Sequence, residues 1–386
     1  MRKTVSFVII CILASAPAFA HRDSPSPSAQ NEKLVAYLKS HWKSPEDYVV
    51  SKFSDHDIVF IGEYHRIKHD VELIHSLIPR LYKAGVYNLG IEFGCYEHQD
   101  KVDRLITADK YDEEMARWLM FQQFVAWGFK EYQNIYRKAW ELNKSLPKGA
   151  RRFRVVNLGY KADWSALKQQ MTGEDWKKVW TQGDPDEHMA QIVLKEFVDK
   201  GQKALIYSGA HHAFTHYHQP IYDFQNQKFV RFNETRMGNL VYAKIPNRVF
   251  NIYLHAPWAS RVRFEDNIHP AGGVIDAVMS EFGNQRVGFD VKGSPFGDLP
   301  DTESYYSIGY PNFTLAVYCD GYIFQKRLED YEGVTVDPAF ITEANFREAI
   351  ANLPNFDRRK FIKKPEDLIE GMRDDVDFKR RFRNLK

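Results

Sequence analysis

The sequence predicts an α/β protein: a mostly parallel sheet with helices on both faces, followed by a helical C-terminal appendage. Three observations carry this. Apolar runs of strand length alternate with longer stretches of helical periodicity, the helical stretches stop at glycines such as Gly85 and Gly201, and beyond about Gly333 the pattern becomes helical and strongly charged.

In chain order, Arg2 and Lys3 precede an apolar run from Val5 to about Ala14, and Ala18-Phe19-Ala20 offers a small-x-small cleavage site. This is the pattern of a secretory signal peptide over residues 1–20, so the mature chain is expected to begin near His21 and to be periplasmic or secreted. Cys11 follows Ile10 where a lipoprotein signal needs a small residue, so no lipid anchor is expected. Residues 21–30 are rich in Ser and Pro and read as a flexible linker. Asn31 to Trp42 has helical spacing at Leu34, Val35, Leu38 and Trp42.

The strand-like runs are Ile58 to Ile61, Asn88 to Phe93, Phe153 to Leu158, Ala204 to Ser208, Val249 to Leu254, Val287 to Val291 and Phe313 to Tyr318. Helices are predicted over Val71 to Lys83, in two or three pieces over Glu97 to Ser145, and over Asp186 to Asp199 behind Asp184-Pro185. One large domain is expected over 31–325, with 326–386 as the appendage. In its last stretch, Arg358 to Lys386, Lys and Arg outnumber Asp and Glu, but the interspersed acids favour a solvated cap.

The totals narrow the function classes. A formal net charge of +2 argues against a nucleic-acid partner, and no later apolar stretch is long enough to cross a membrane as a helix. Aromatics at 15% suit a ring-binding pocket or a large core equally. Cys95 and Cys319 are the thiols left after cleavage; a chain of this length can build its core without a staple, so two separate buried thiols are favoured over a disulfide.

Ligands of open α/β sheets bind outside the carboxyl ends of the strands. At three such ends this sequence places Glu63 and His65, then Glu92, then His211 and His212. An imidazole with a carboxylate beside it can take a proton from water, and the same side chains could hold a divalent metal; spacing does not choose between the two. A carboxylate such as Glu92 inside an apolar run needs a partner. Gly62 and Gly209 suit tight exits from their strands. Asn157 and His255 also fall at strand ends, as substrate contacts or as buried structural polar groups. His69 and Glu72, on a helix face after His65, lack the HExxH pattern and are expected in solvent. Of His211, His212, His216 and His218, one member is expected to face the site.

The run Ile58 to His65 with Gly62-Glu63-Tyr64-His65, the strand Leu89-Gly90-Ile91-Glu92-Phe93, the later Gly209-Ala210-His211-His212 and Met237-Gly238-x-Leu240 resemble the erythromycin-esterase-like, ChaN-like and Tiki superfamily, over roughly Asp57 to Trp258. The resemblance implies a shared α/β fold with paired Glu and His residues in a cleft. Esterase-like members open a lactone with a His as general base, Tiki-like members are metal-dependent proteases, and ChaN-like members bind haem. Carried over, His65 is the general base, Glu63 and Glu92 orient it or hold a metal, and His212 assists; with a metal, His65, Glu92 and His212 are its ligands. Tyr64, Asn157, His211 and His255 would line the substrate pocket. The segment around His212 lacks an Asn typical of the esterase-like branch, which argues against a macrolide substrate. The expectation is thus an exported hydrolase of an ester or amide, acting on a small molecule or peptide. The alternative is a haem- or iron-binding protein with Tyr64, Tyr207 or the histidine-rich loop as ligands.

Overall fold

In the computed structural model, residues 27–385 are described. The expected signal peptide and most of the linker lie outside them; the linker's last residues, Pro27 to Gln30, open the helix Pro27–His41.

Eleven strands are present among the described residues: β1 (Ile58–Glu63), β2 (Asn88–Cys95), β3 (Arg154–Gly159), β4 (Ala204–Gly209), β5 (Gln219–Asp223), β6 (Lys228–Asn233), β7 (Val249–Leu254), β8 (Trp258–Ala259), β9 (Asn267–Ile268), β10 (Val287–Asp290) and β11 (Gly321–Phe324). Seven form one sheet in the order β10-β11-β7-β1-β4-β2-β3, while β5-β6 and β8-β9 are separate hairpins. Every pairing in the large sheet is parallel except β10 with β11. The run Phe313 to Tyr318 is not a strand. Its end, Leu315–Tyr318, is a short helix, and the neighbouring strand is β11, which lies further along the chain.

The central strands are apolar on both faces because both are covered. Along β1, Val59 and Ile61 enter one cluster with Leu73, Ile74 and Leu77 of the helix Lys68–Lys83 and Tyr132, Ile135 and Tyr136 of the helix Lys130–Ser145. Ile58 and Phe60 enter another with Met189, Ile192 and Val193 of the helix Pro185–Val193 and Met237 and Val241 of the helix Met237–Lys244. The period of two along each strand fixes which face a terminal side chain takes. Glu63 therefore lies on the face of Tyr132 and Tyr207.

An aromatic cluster containing Tyr217, Trp258, Tyr306 and Tyr318 fills the region beside β10 and β11. The C-terminal segment is helical, as expected, and it is built into the core. Phe340, Leu368, Ile369 and Met372 join the first cluster, and Phe378 and Phe382 join the aromatic one. Cys95 and Cys319 are buried free thiols.

Candidate active site

Strand order brings the motif residues together. β4 lies between β1 and β2; Tyr207 is level with both Ile61 and Ile91, and Gly209 is level with Glu63. The carboxyl ends of β1, β4 and β2 therefore adjoin, and Glu63, His65, Gly209, His212 and Glu92 meet there.

Glu63 is 1% exposed. Its Oε1 accepts hydrogen bonds from Tyr132 Oη at 2.6 Å and from His65 Nδ1 at 2.8 Å, and its Oε2 accepts one from Tyr207 Oη. Burial, reinforced by the Glu63 charge, pushes both tyrosines far above their ordinary range, so both stay protonated donors. With Nδ1 donating to a carboxylate, neutral His65 carries its lone pair on Nε2, toward the hollow. The ring is fixed edge-on to Trp127 and Phe93, with centroids at 5.2 and 5.7 Å.

His212 is held in a parallel way. Its Nδ1 is 2.6 Å from Asp186 Oδ1, and its Nε2 is 3.5 Å from Glu92 Oε1. Glu92 is oriented by Gly209 N–H, which donates to Oε2 at 2.7 Å. Burial works against the His212 cation, but Glu92 and Asp186 outweigh it and raise its pKa to about 9. Burial also opposes the Asp186 charge, yet His212, Arg236 at 2.9 Å and Met237 N–H at 2.8 Å hold it down to about 2. His212 is thus an imidazolium at neutral pH. His211 differs: burial, with the nearby Arg236 and His212 charges, lowers it to about 3, and its Nε2 sits 3.1 Å from Tyr306 Oη.

Two glycines are required by close approach. A Cβ on Gly209 would lie 2.8 Å from His65 Nε2, and one on Gly62 would lie 2.9 Å from Ala210 Cα. The Met237-Gly238 segment also has a local explanation, because Gly238 N–H donates to the His212 carbonyl at 2.8 Å.

A cavity of about 290 Å³ is lined by Glu63, Tyr64, His65, His211, His212 and Arg66, among others. Tyr64 and His211 are therefore in the site, so two members of the histidine-rich loop face it rather than one. His216 and His218 turn instead toward Asp320 and Glu234. Asn157 and His255 are not in the site. Asn157 is wholly buried, accepting from Tyr136 Oη at 2.8 Å, and His255, 1% exposed, sits between Tyr322 Oη at 2.8 Å and Asp276 at 3.2 Å. Both are structural polar groups: Asn157 lies inside β3 and His255 just past the end of β7, and each is covered by packed side chains. Glu72 is exposed as expected, but His69 is buried, and desolvation lowers its pKa to about 3.

Sequence reasoning missed Tyr132, Asp186, Arg66 and Arg381. Asp186 stands in the Asp-Pro-Asp opening of its helix and reads there as ordinary helix-start chemistry. Tyr132 follows helical spacing and reads as core.

Among the described residues no three His, Cys, Asp or Glu side chains converge to hold a metal ion, so His65, Glu92 and His212 as placed are not a ready ligand set. For haem, Tyr207 is committed to Glu63 and wholly buried, and the Tyr64 hydroxyl accepts from Arg381 at 2.9 Å. Tyr207 is thereby withdrawn as an axial ligand, whereas Tyr64 stays in the cavity lining.

No protein-family model and no curated protein matches the chain. Among solved structures, a succinoglycan biosynthesis protein is similar with a TM-score of 0.53 at 11% identity, covering 81% of this chain and 100% of that one. An erythromycin esterase, EreC in its open conformation, is similar with a TM-score of 0.45 at 10% identity, over 71% of this chain and 91% of that one. ChaN of Campylobacter jejuni, solved with cofacial haem, gives 0.37 at 12% identity, over 57% and 90%. At such identities the likeness is one of fold.

Proposed function

We propose that this chain is an exported hydrolase that activates water at the Glu63–His65 pair to cleave an ester or amide. One observation carries the reading: the 2.8 Å contact between His65 Nδ1 and the buried Glu63 carboxylate, which leaves Nε2 at the cavity wall. His65 Nε2 takes a proton as water adds to the substrate carbonyl, and Glu63 stabilises the imidazolium that forms. Negative charge develops on the carbonyl oxygen, and the His212 cation across Gly209 is the group placed to offset it. The carbon–heteroatom bond then breaks, and the departing oxygen or nitrogen takes the proton from His65. Glu92 and Asp186 act through His212, holding its orientation and its charge.

A divalent metal, if bound, would supply a more acidic water and would have to draw on His65, Glu92 and His212. The steps above need only this chain's own groups. The haem alternative loses Tyr207, which is committed to Glu63, and His216 and His218, which turn to Asp320 and Glu234, and keeps Tyr64, His211 and His212 in the cavity lining.

The test is a panel of ester and peptide substrates compared between wild type and His65→Ala. A loss of about a hundredfold or more is expected for any substrate that wild type cleaves. Equal rates would remove the reading.

A further inference from the structure

Two hollows share His212 in their linings, and their walls differ in kind. The first, of about 290 Å³, is lined by Arg66 and Arg381 with His65, His211 and Asn267. The second, of about 200 Å³, is walled by Phe124, Tyr160, Trp164, Trp180 and Met189, with Glu92 and His212 also in its lining. His212 borders both.

The positive side of the first hollow is built, not incidental. Arg381 comes from the C-terminal segment. Its guanidinium lies over the Tyr64 ring at 5.1 Å, with Nη2 donating to Tyr64 Oη at 2.9 Å and Nη1 to the Asp375 carbonyl at 2.9 Å. Neither partner neutralises its charge. Arg66 has left-handed backbone, φ 76°, immediately after the general base, a strained conformation for a long side chain. It stacks over Trp127 at 4.6 Å, its Nε is buried without a hydrogen-bond partner, and its carboxylate neighbour, Asp375, is 3.8 Å away and half in solvent. Against these cations and His212, the hollow's own lining carboxylate is Glu63, already held by three donors. The second hollow is apolar and ring-shaped, its Trp164 and Trp180 edge to face at 5.0 Å.

We propose that the substrate is amphipathic in a fixed direction, with an oxyanion group at Arg66 and Arg381, an aromatic or alkyl group in the second hollow against Trp164 and Trp180, and its reacting carbonyl between the two subsites at His65 and His212. The position of the carbonyl rests on the hydrolase reading; the two subsites do not. Guanidinium groups favour planar oxyanions, and indole walls favour flat or apolar groups. The basic C-terminal segment thereby acquires a role, as the part of the chain that delivers Arg381 to the site.

The experiment is calorimetric or tryptophan-fluorescence binding of unreactive ligands to the full chain: ω-phenylalkanoates of graded length, the matching phenylalkanols, the ring-free alkanoates, and a phenylalkyl phosphate. The best phenylalkanoate is expected to bind about tenfold tighter than its alcohol and its ring-free counterpart, the advantage of one good contact at each end. The phosphate arm separates phosphate from carboxylate preference. Arg381→Gln should erase the acid's advantage over the alcohol, and Trp164→Ala the advantage of the ring. Both side chains are partly exposed, and circular dichroism checks that the variants fold. Should one misfold, the wild-type comparison of acid with alcohol still decides. The proposal is overturned if acid and alcohol bind alike, if the ring adds nothing, or if both preferences survive both substitutions. Binding as expected, with no cleavage of any ester or amide that carries a free carboxylate on one side of its carbonyl and a phenylalkyl group on the other, would instead remove the hydrolase reading and leave the subsites standing.

Discussion

His65 and His212 stand on either side of Gly209 and are anchored alike, each with Nδ1 on a buried carboxylate: 2.8 Å to Glu63 for the first and 2.6 Å to Asp186 for the second. Both rings therefore present Nε2 to the same junction, but their surroundings differ. His212 has a second carboxylate, Glu92, at 3.5 Å and is held as a cation, whereas the second polar partners of Glu63 are tyrosine hydroxyls. One ring is suited to accept a proton, the other to face developing negative charge.

Glu63→Gln keeps the size of the side chain but removes the charge that steadies protonated His65, and it leaves one acceptor oxygen where Tyr132 and Tyr207 use two. The kcat/KM of any cleaved substrate should fall about a hundredfold, the low end for a general-base contribution, with a smaller loss of thermal stability than in Glu63→Ala. Glu63→Ala should also destabilise the fold by about 2 kcal/mol or more, because Tyr132 and Tyr207 would keep buried hydroxyls with no acceptor. Steady-state kinetics beside thermal denaturation separates the two effects.

The charge on His212 sets a limit at high pH. Its folded pKa, about 9, lies above the ordinary value, so its contribution to stability is complete below pH 6.5 and is lost as pH rises through about 9. Activity that uses the cation should decline over the same interval. Asp186 has the opposite sign: held down to about 2, it contributes above its ordinary range and loses that contribution only as pH falls through about 2. Asp186→Asn or Glu92→Gln should move the alkaline limb of the kcat/KM profile to lower pH. Side-chain NMR of His212 gives an independent reading of the same titration.

How far the sequence could be read follows from what each residue's neighbours have in common with it. The parallel sheet was legible because buried strands and covering helices differ in period, and Glu63, His65, Glu92 and His212 were legible because polar groups at strand ends break an apolar pattern. The same rule misplaced Asn157, which lies inside β3 with its Oδ1 held by Tyr136, and His255, which follows β7 but is buried between Tyr322 and Asp276. Asp186, Tyr132 and Arg381 carry no local mark. Each looks like the helix start, core residue or basic tail that it also is, and only the chain's path in space brings it to the site.

Gly209→Ala should remove activity out of proportion to its effect on stability. The new methyl would come 2.7 Å from His65 Cε1 and 2.8 Å from its Nε2, and the ring, 34% exposed, can yield by swinging away from Glu63. Gly238→Ala meets backbone instead, with its methyl 2.4 Å from the Phe214 carbonyl oxygen, and should cost roughly 1–3 kcal/mol of stability through overpacking. Thermal denaturation of both variants, paired with kinetics, tests this division.

Chelation supplies a separate check on the chemistry. With His65, Glu92 and His212 as placed not forming a metal-ligand set, the rate on a cleaved substrate should be unchanged after EDTA treatment and dialysis. A loss restored by a stoichiometric divalent ion would move the site to the metal-assisted form of the reaction.

The thiols make the last prediction. Cys95 ends β2 and Cys319 follows the helix Leu315–Tyr318; both are free and wholly buried, and desolvation raises both well above the ordinary thiol range. A thiol that is neither exposed nor ionised does not attack a disulfide reagent. Folded protein should therefore react negligibly with such a reagent at neutral pH, and both residues should react at once in denaturant. Reductant should leave the melting temperature unchanged, because no bridge constrains the unfolded chain. A melting temperature lowered by reductant, with no thiol titrating in unreduced denatured protein, would show that the two cysteines pair after all.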